Sequence, residues 1–344
     1  MPSTLASPPP SPSATLALTG TIAFTRGEYP DPEHNVTIRP DGSDEHDLFS
    51  IAGCHCLQLS PDGTTVWTQT ETAWGTVAFT TMRPDGTGKK VQVPPTKTLS
   101  LVTGPDASTP DGRLIAFYGW DDTRPKAAGV YLAAPDLSGL RRVTGLPDGF
   151  EWITPYGLTA DGARVLFFAE RGAIGGITHT GELFVVDATG RNLRKLNAEG
   201  WYVAETGGRL ASLSPDGKRA TFTACNAATK KGAIFVAALD GGGAQPVVEL
   251  TYCSSSAAWA PIGEMIEFGP REDGVHFIVN ADGSDRRDLA SDELGSVAWS
   301  PDGKHLVVAR GPEGSRDLWI TGLEGNFLVQ VTHQPGTYTV YDWR

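Results

Sequence analysis

The stretch Trp299-Ser300-Pro301-Asp302-Gly303-Lys304 decides how this chain folds. Proline presets φ at the second position of a tight turn, aspartate bonds back to the turn backbone, and glycine accepts a positive φ. Each copy of this turn joins two strand-like runs and therefore predicts a β-hairpin. Further copies, some of them weaker, are Ser60–Gly63, Thr109–Gly112, Thr159–Gly162, Ser214–Gly217 and Ala260–Gly263.

A hairpin that returns roughly every 40 to 55 residues predicts an array of blades, and such an array closes most readily as a propeller. Small residues precede the turn, as in Ala211-Ser212-Leu213, because inner strands crowd around a common axis. An apolar strand follows, as in residues 114–117, and the outer strand is charged, as in residues 286–289. Charged side chains on an outer strand disfavour the pairing of the exposed sheet edge with another chain. We therefore predict an all-β, seven-bladed β-propeller of four-stranded antiparallel blades.

The seventh blade is divided between the two ends of the chain. Residues 21–25 match the second strand of a blade, and residues 338–344 supply the missing inner strand. We predict that the C-terminal strand joins the first blade and closes the ring. The propeller would then be a single domain over residues 19–344, preceded by a Pro/Ser-rich flexible tether at residues 1–18.

These repeats resemble the TolB-like β-propeller family, whose WD40-like Pro-Asp-Gly repeats carry a Trp-Ser-Pro-Asp-Gly-Lys turn. Residues 299–304 match that turn fully, and residues 282–289 are close to the Asp-Gly-x-x-x-Arg-x-Leu-Thr ending of a family blade. The resemblance covers nearly the whole chain after the tether and implies the propeller fold. Members of the family include periplasmic scaffolds, the propellers of prolyl peptidases and some polysaccharide lyases. The TolB propeller has six blades, whereas this sequence predicts seven.

Charge and hydropathy exclude some partners. The 344 residues carry a net charge of −12, which is unsuited to the phosphates of nucleic acid. No apolar run of about 18 residues is present, so we expect no membrane span. The first residues lack the basic and apolar stretches of a signal peptide. We expect a monomer exported by a bacterium (periplasmic, lipoprotein-tethered or secreted), with its signal sequence absent from this chain.

The cysteines favour an oxidising compartment slightly over the cytosol. Cys225 ends one strand and Cys253 opens the next inner strand, so we predict that they meet and form a disulfide. Cys54 and Cys56 flank His55 in a Cys-x-Cys pattern. They could pair, hold a metal or stay free, but no partner motif completes a metal site.

Ligands of propellers usually sit at the mouth of the central channel, on the face where inner strands begin. The loops predicted there are rich in aromatic, acidic and histidine residues, which suit sugar binding by stacking and hydrogen bonds. Packing of the tryptophans between blades is the alternative reading. The candidate ligand-binding residues are His34, His55, Trp74, Trp120, Asp121, Asp122, Trp152, His179, Trp201, Tyr202, Arg271 and His333.

No nucleophile–base constellation, cofactor loop or metal-ligand spacing stands out in the sequence. We therefore expect a non-catalytic binding module that holds a protein segment or a glycan at the channel mouth, without a cofactor or metal. The alternative is a carbohydrate-active enzyme, a polysaccharide lyase or glycoside hydrolase that uses histidine, tyrosine or carboxylates at the same mouth. A purely structural scaffold is the third possibility.

Overall fold

The computed structural model describes residues 18–27, 31–51, 57–173, 179–204, 209–251, 253, 256–269, 275–289 and 293–344. The flexible tether predicted at residues 1–18 thus falls almost wholly outside the described residues. Within the described ranges the helical structure is a single 3₁₀ turn at Pro125–Ala127, and no helix there has the length or apolar character to cross a membrane.

The described chain is otherwise built of short β-strands joined by turns. In chain order they are β1 (Ile22–Arg26), β2 (Glu33–Ile38), β3 (His46–Ile51), β4 (Gln58–Leu59), β5 (Val66–Glu71), β6 (Val77–Met82), β7 (Lys90–Gln92), β8 (Ser100–Val102), β9 (Ile115–Trp120), β10 (Gly129–Ala133), β11 (Arg141–Gly145), β12 (Trp152–Leu158), β13 (Arg164–Ala173), β14 (His179–Asp187), β15 (Arg194–Lys195), β16 (Trp201–Ala204), β17 (Ala211–Leu213), β18 (Arg219–Asn226), β19 (Gly232–Ala238), β20 (Ala244–Leu250), β21 (Ser256–Trp259), β22 (Met265–Gly269), β23 (Phe277–Asn280), β24 (Arg287–Asp288), β25 (Leu294–Trp299), β26 (His305–Arg310), β27 (Asp317–Gly322), β28 (Phe327–Gln330) and β29 (Tyr338–Trp343).

The repeated turn has the conformation that its sequence predicts. Gly303 adopts φ of 65°, which an L side chain rarely does. The Ser300 hydroxyl donates to Asp302 at 2.6 Å, and the Lys304 amide donates to the same carboxylate oxygen at 3.0 Å. The turn therefore fixes the hairpin of β25 and β26 through its own side chains.

Five of the sheets are four-stranded antiparallel blades. Their strand orders are β29-β1-β2-β3, β4-β5-β6-β7, β11-β10-β9-β8, β21-β22-β23-β24 and β25-β26-β27-β28. The prediction of an all-β propeller built from four-stranded antiparallel blades is confirmed for these sheets.

The predicted count of seven four-stranded blades is wrong. Besides the five blades, the chain from β12 to β20 forms one continuous nine-stranded sheet. Strands β13 and β14 are ten and nine residues long, so their hairpin extends beyond the reach of the outer strand β15. Strand β16 pairs with this extension at Thr180 and Gly181, and it also pairs with the end of β18. No pattern in the sequence predicted this bridging strand.

The predicted closure of the ring is confirmed. Strand β29 pairs antiparallel with β1, which places the C-terminal strand innermost in the first blade. Trp343 is 2% exposed, and its indole nitrogen donates to the carbonyl of Thr19 at 2.9 Å. Around it, Ile22 and Phe24 pack with residues of β26 and β27. The closing strand therefore completes the first blade through main-chain hydrogen bonds and packs against the last blade in a common apolar core.

Candidate functional site

Two predicted tryptophans lie at the same end of the ring. Trp120 is the last residue of β9 and pairs with Ser100, the first residue of the inner strand β8. Trp152 is the first residue of the inner strand β12. Because both mark the end where inner strands begin, the two side chains lie on the face predicted for the channel mouth.

Tyr118 joins these tryptophans in one aromatic cluster, which we call the aromatic rim (Tyr118, Trp120 and Trp152). The rings of Tyr118 and Trp120 stack with centroids 5.4 Å apart. The Trp152 ring lies 4.5 Å from Tyr118 and 5.1 Å from Trp120. Tyr118 is buried, whereas 36% of Trp152 is exposed. The rim therefore presents an exposed aromatic surface at Trp152, which packs on the buried ring of Tyr118.

The electrostatics of the rim suit binding better than proton transfer. Burial raises the pKa of Tyr118, and the negative charge of Asp122 raises it further. The phenol thus stays protonated at neutral pH and can donate a hydrogen bond, while Asp122 adds an exposed carboxylate near the rim. A tyrosine that acts as a general base would need the opposite shift.

Asp121 has a structural role. Its buried carboxylate accepts hydrogen bonds from Thr98 at 2.8 Å, from the Thr123 hydroxyl at 2.6 Å and from Arg124 at 2.6 and 2.8 Å. The Thr123 hydroxyl, followed by Arg124 and Thr98, holds the pKa of Asp121 well below its usual range. This network ties the loop after β9 to the segment that leads into β8. Its acceptor sites are used by the protein itself.

Trp74 extends the aromatic surface toward the second blade. It is 52% exposed, and the Lys97 ammonium lies 4.8 Å from the centre of its ring. Lys97 immediately precedes Thr98, which contacts Asp121 beside Trp120. One short segment thus connects the exposed Trp74 with the aromatic rim.

The structure places other candidates away from this surface. The imidazole Nδ1 of His34 lies 2.5 Å from Asp47 and 3.1 Å from the Ser50 hydroxyl, between β2 and the outermost strand β3. Trp201 lies in β16, where it is half-buried and packs against the core on Phe235 with ring centroids 4.9 Å apart. These two residues are therefore not brought to the rim.

The remaining candidates have no described contact with the aromatic rim. His333 is exposed in the connection between β28 and β29. His179 begins β14, but its side chain is outside what the structure describes. His55 and Arg271 lie outside the described residues, as do Cys54 and Cys56. Within the described part of the chain, no group of three or more His, Cys, Asp and Glu side chains could hold a metal ion.

Cys225 and Cys253 are free thiols in the structure, so the predicted disulfide is not formed in it. They nevertheless meet as expected, because the Cys253 thiol is a hydrogen-bonding neighbour of Cys225. Burial is the main cause that raises the pKa of Cys225, and Tyr202 lies beside both thiols. The disulfide stays a prediction, and Tyr202 belongs to the surroundings of these thiols rather than to the rim.

Sequence reasoning missed a cavity in the central channel. It encloses about 370 Å³, and its lining includes Trp259, Trp299 and the prolines of several repeated turns. Leu158 lines it at the end of β12, six strand residues from Trp152, or about 20 Å along the strand. The cavity and the aromatic rim therefore lie toward opposite ends of the channel.

Four charged side chains line this cavity. Arg209 contacts Asp106 at 2.8 Å, Arg344 bonds the other oxygen of Asp106, and Arg344 also contacts Asp342 at 3.0 Å. Burial acts to raise the pKa of Asp106, but the two guanidinium groups outweigh it and leave that pKa lowered. Burial raises the pKa of Asp342. Asp106, Arg209 and the C-terminal pair Asp342 and Arg344 are far apart in the sequence, and only the fold brings these three segments together.

Comparison with known proteins supports the fold alone. No family model matches this chain, and no curated protein matches it. Among solved structures, an oligogalacturonate lyase in complex with manganese is 16% identical over 79% of this chain and 73% of its own, with a TM-score of 0.54. A puromycin-hydrolysing peptidase from Mycobacterium tuberculosis is 17% identical over 83% of this chain, with a TM-score of 0.56.

The chain spans 48% of that peptidase's length. TolB from Acinetobacter baumannii is also a structural neighbour, at 14% identity over 94% of this chain and 83% of its own, with a TM-score of 0.47. Membership of the TolB-like repeat family is not confirmed, because no family model matches.

Proposed function

We propose that this protein is a non-catalytic glycan-binding module and that the aromatic rim is its binding surface. The observation that carries the proposal is the contact of three aromatic rings at the channel mouth, with Trp152 open to solvent and Tyr118 fixed beneath it. Flat aromatic faces stack on the C–H faces of sugar rings, and nearby polar groups orient the hydroxyls. Of the two ligand classes expected from the sequence, a protein segment and a glycan, the aromatic rim therefore supports a glycan better.

Polar groups beside the rim support the same ligand class. Asp122 is exposed close to Tyr118, and Lys97 lies over the exposed ring of Trp74. A carboxylate can accept sugar hydroxyls, while an ammonium group can pair with an acidic sugar. Uronate-containing oligosaccharides are accordingly the first ligands to test. The fold-level similarity to an oligogalacturonate lyase adds oligogalacturonate to that choice.

Export to an oxidising compartment is part of the proposal. Its support is the contact between the Cys225 and Cys253 thiols, which places a disulfide within reach.

A carbohydrate-active enzyme is less well supported by the residues that the structure describes. His34 pairs with Asp47 at the outer edge of a blade, and Tyr118 has a raised pKa.

The proposal is tested with a panel of neutral and uronate oligosaccharides, measured by calorimetry and by tryptophan fluorescence. We expect binding by the native chain and at least tenfold weaker binding by Trp152→Ala, equivalent to about 1.4 kcal/mol. Ile262→Ala is the matched control, because Ile262 is 59% exposed in a turn at the opposite end of an inner strand. It should bind like the native chain.

Absence of binding across the panel would contradict the proposal, and so would equal affinities of the native chain and Trp152→Ala. The same mixtures are followed by ultraviolet absorbance for unsaturated sugar products. Product that accumulates with time would favour the lyase alternative over a binding module.

A further inference from the structure

Three buried polar side chains and one half-buried tyrosine lie at the seam between the first blade, β29-β1-β2-β3, and the second blade, β4-β5-β6-β7. We call Thr25, Glu33, Asn35 and Tyr341 the seam cluster. Val36 of β2 packs in the core toward the last blade, so alternation turns Glu33 and Asn35 to the opposite face. Tyr341 packs there against apolar residues of the second blade. The cluster is thus enclosed between two blades.

Two of these side chains are buried without partners for their polar atoms. Asn35 is 0% exposed, and neither atom of its side-chain amide has a hydrogen-bond partner. Glu33 is 7% exposed, and its Oε2 atom has none either. Buried polar atoms without partners are costly, and native proteins supply a partner to nearly all of them. A species bound at the seam would satisfy the two oxygen atoms among them, Glu33 Oε2 and Asn35 Oδ1.

Among the described residues, the carboxyl group of Glu33 in the seam cluster has no positively charged partner and forms no ion pair. Its charged neighbours in the sheet have other partners, because Arg26 pairs with Glu45 and His34 pairs with Asp47. A buried carboxylate without a positive partner is unfavourable. The species that occupies the seam should therefore carry positive charge.

The remaining members of the cluster are neutral oxygen atoms. The hydroxyls of Thr25 and Tyr341 lie 3.3 Å apart. Burial raises the pKa of Tyr341 to about 12, so its phenol remains uncharged at neutral pH. Together, the cluster offers one carboxylate, one amide carbonyl and hydroxyl oxygens. Hard cations prefer oxygen ligands of these types.

We propose that the seam binds one alkali cation, Na⁺ or K⁺, with the Glu33 carboxylate and the Asn35 carbonyl as its ligands. One negative charge balances a monovalent ion, whereas Ca²⁺ sites use several carboxylates among six to eight oxygens. Because Tyr341 belongs to the closing strand β29, the ion would strengthen the contact between that strand and the second blade. Ring stability would then depend on alkali cations.

The test is the thermal midpoint of unfolding in NaCl, KCl and N-methylglucamine chloride at one ionic strength. A ligand that binds only the folded state raises the midpoint, and we expect a rise of about 3 °C in at least one alkali salt. Equal midpoints in the three salts would overturn the proposal, since a proton or a water on Glu33 would give no such dependence.

Two variants and one control isolate the site. Glu33→Gln removes the charge with little change of shape and should abolish the alkali effect. Asn35→Asp adds a second carboxylate and should make Ca²⁺ the stabilising ion. The control Glu199→Gln changes an exposed carboxylate in the same way and should keep the native response. A Glu33→Gln protein that still responds to alkali salts overturns the proposal, and the native and Asn35→Asp measurements decide if Glu33→Gln does not fold.

Discussion

The aspartates of the repeated turns are ionised hydrogen-bond acceptors. Asp216 accepts from the Ser214 hydroxyl at 2.5 Å and from the Lys218 amide at 3.1 Å, with Ser214 as the main cause that lowers its pKa. Thr109 has the same effect on Asp111, and Ser60 on Asp62. A carboxyl whose pKa is lower in the folded state stabilises the fold above its unfolded pKa.

Acid should therefore weaken the ring through many turns at once. Stability from these aspartates is fully present above about pH 5 and is lost as the pH falls below about 4, through the folded pKa values. Asp216→Ala removes one such acceptor and should cost about 1 kcal/mol at pH 7. The loss of unfolding free energy caused by this substitution should be smaller at pH 3. Urea unfolding at both pH values measures it, and an equal deficit at both would contradict the argument.

At this scale the sequence predicted part of the candidate site. Trp120 and Trp152 could be placed at the mouth because they flank strands whose ends the turns define. Tyr118 was missed, although it lies two residues before Trp120 on the same face of β9. Asp106 and Arg344 could not be found, because their contact joins residues 238 apart in the chain. No local pattern encodes such a contact.

Among the elements, the closing strand β29 has the clearest energetic role. Trp343 fills the core between the first and last blades and anchors the N-terminal segment through Thr19. Small side chains at such buried positions leave cavities that the surroundings cannot refill. The strand pattern of the sequence predicted this pairing, because an inner strand was missing from the first blade.

Trp343→Ala should lower the free energy of unfolding by about 3–5 kcal/mol. Leu328→Ala, in the outer strand β28, is the control, because Leu328 is 40% exposed and its loss should change stability by less than about 1 kcal/mol. Urea titrations followed by circular dichroism compare the two. A Trp343→Ala protein as stable as Leu328→Ala would show that closure contributes little.

Strand β16 shows where prediction from the sequence stopped. Trp201 and Tyr202 follow an outer strand, which is the usual place for a loop at the mouth. The length of the β13–β14 hairpin leaves main-chain groups for pairing, and these residues form a strand on them. Main-chain pairing of this kind depends on neighbouring strand lengths, which side-chain patterns specify poorly.

For the whole molecule, the charges in the central channel connect distant parts of the ring. Asp106 lies after β8, Arg209 before β17, and Arg344 after β29, and Asp106 contacts both guanidinium groups. Its lowered pKa means that this carboxylate favours the folded state above its unfolded pKa. Removing the charge would leave two arginines facing each other across the cavity.

Asp106→Asn should cost about 2 kcal/mol, less than for a fully buried pair because 22% of the Asp106 side chain is exposed. Asp285→Asn is the control, since Asp285 pairs with Arg287 at the surface with 54% of its side chain exposed. It should cost less than about 0.5 kcal/mol. Equal losses of unfolding free energy for the two variants would contradict a central role for Asp106.

The nine-stranded sheet has a mechanical consequence for the rim. Because main-chain hydrogen bonds connect β12 to β20 in one sheet, this part of the ring should be rigid. The separate four-stranded blades should tilt against one another more freely. Trp152 stands on the margin of the nine-stranded sheet, whereas Tyr118 and Trp120 belong to the adjoining blade. A ligand that contacts all three rings would therefore bridge two separate sheets, and its affinity would depend on the relative tilt of those sheets.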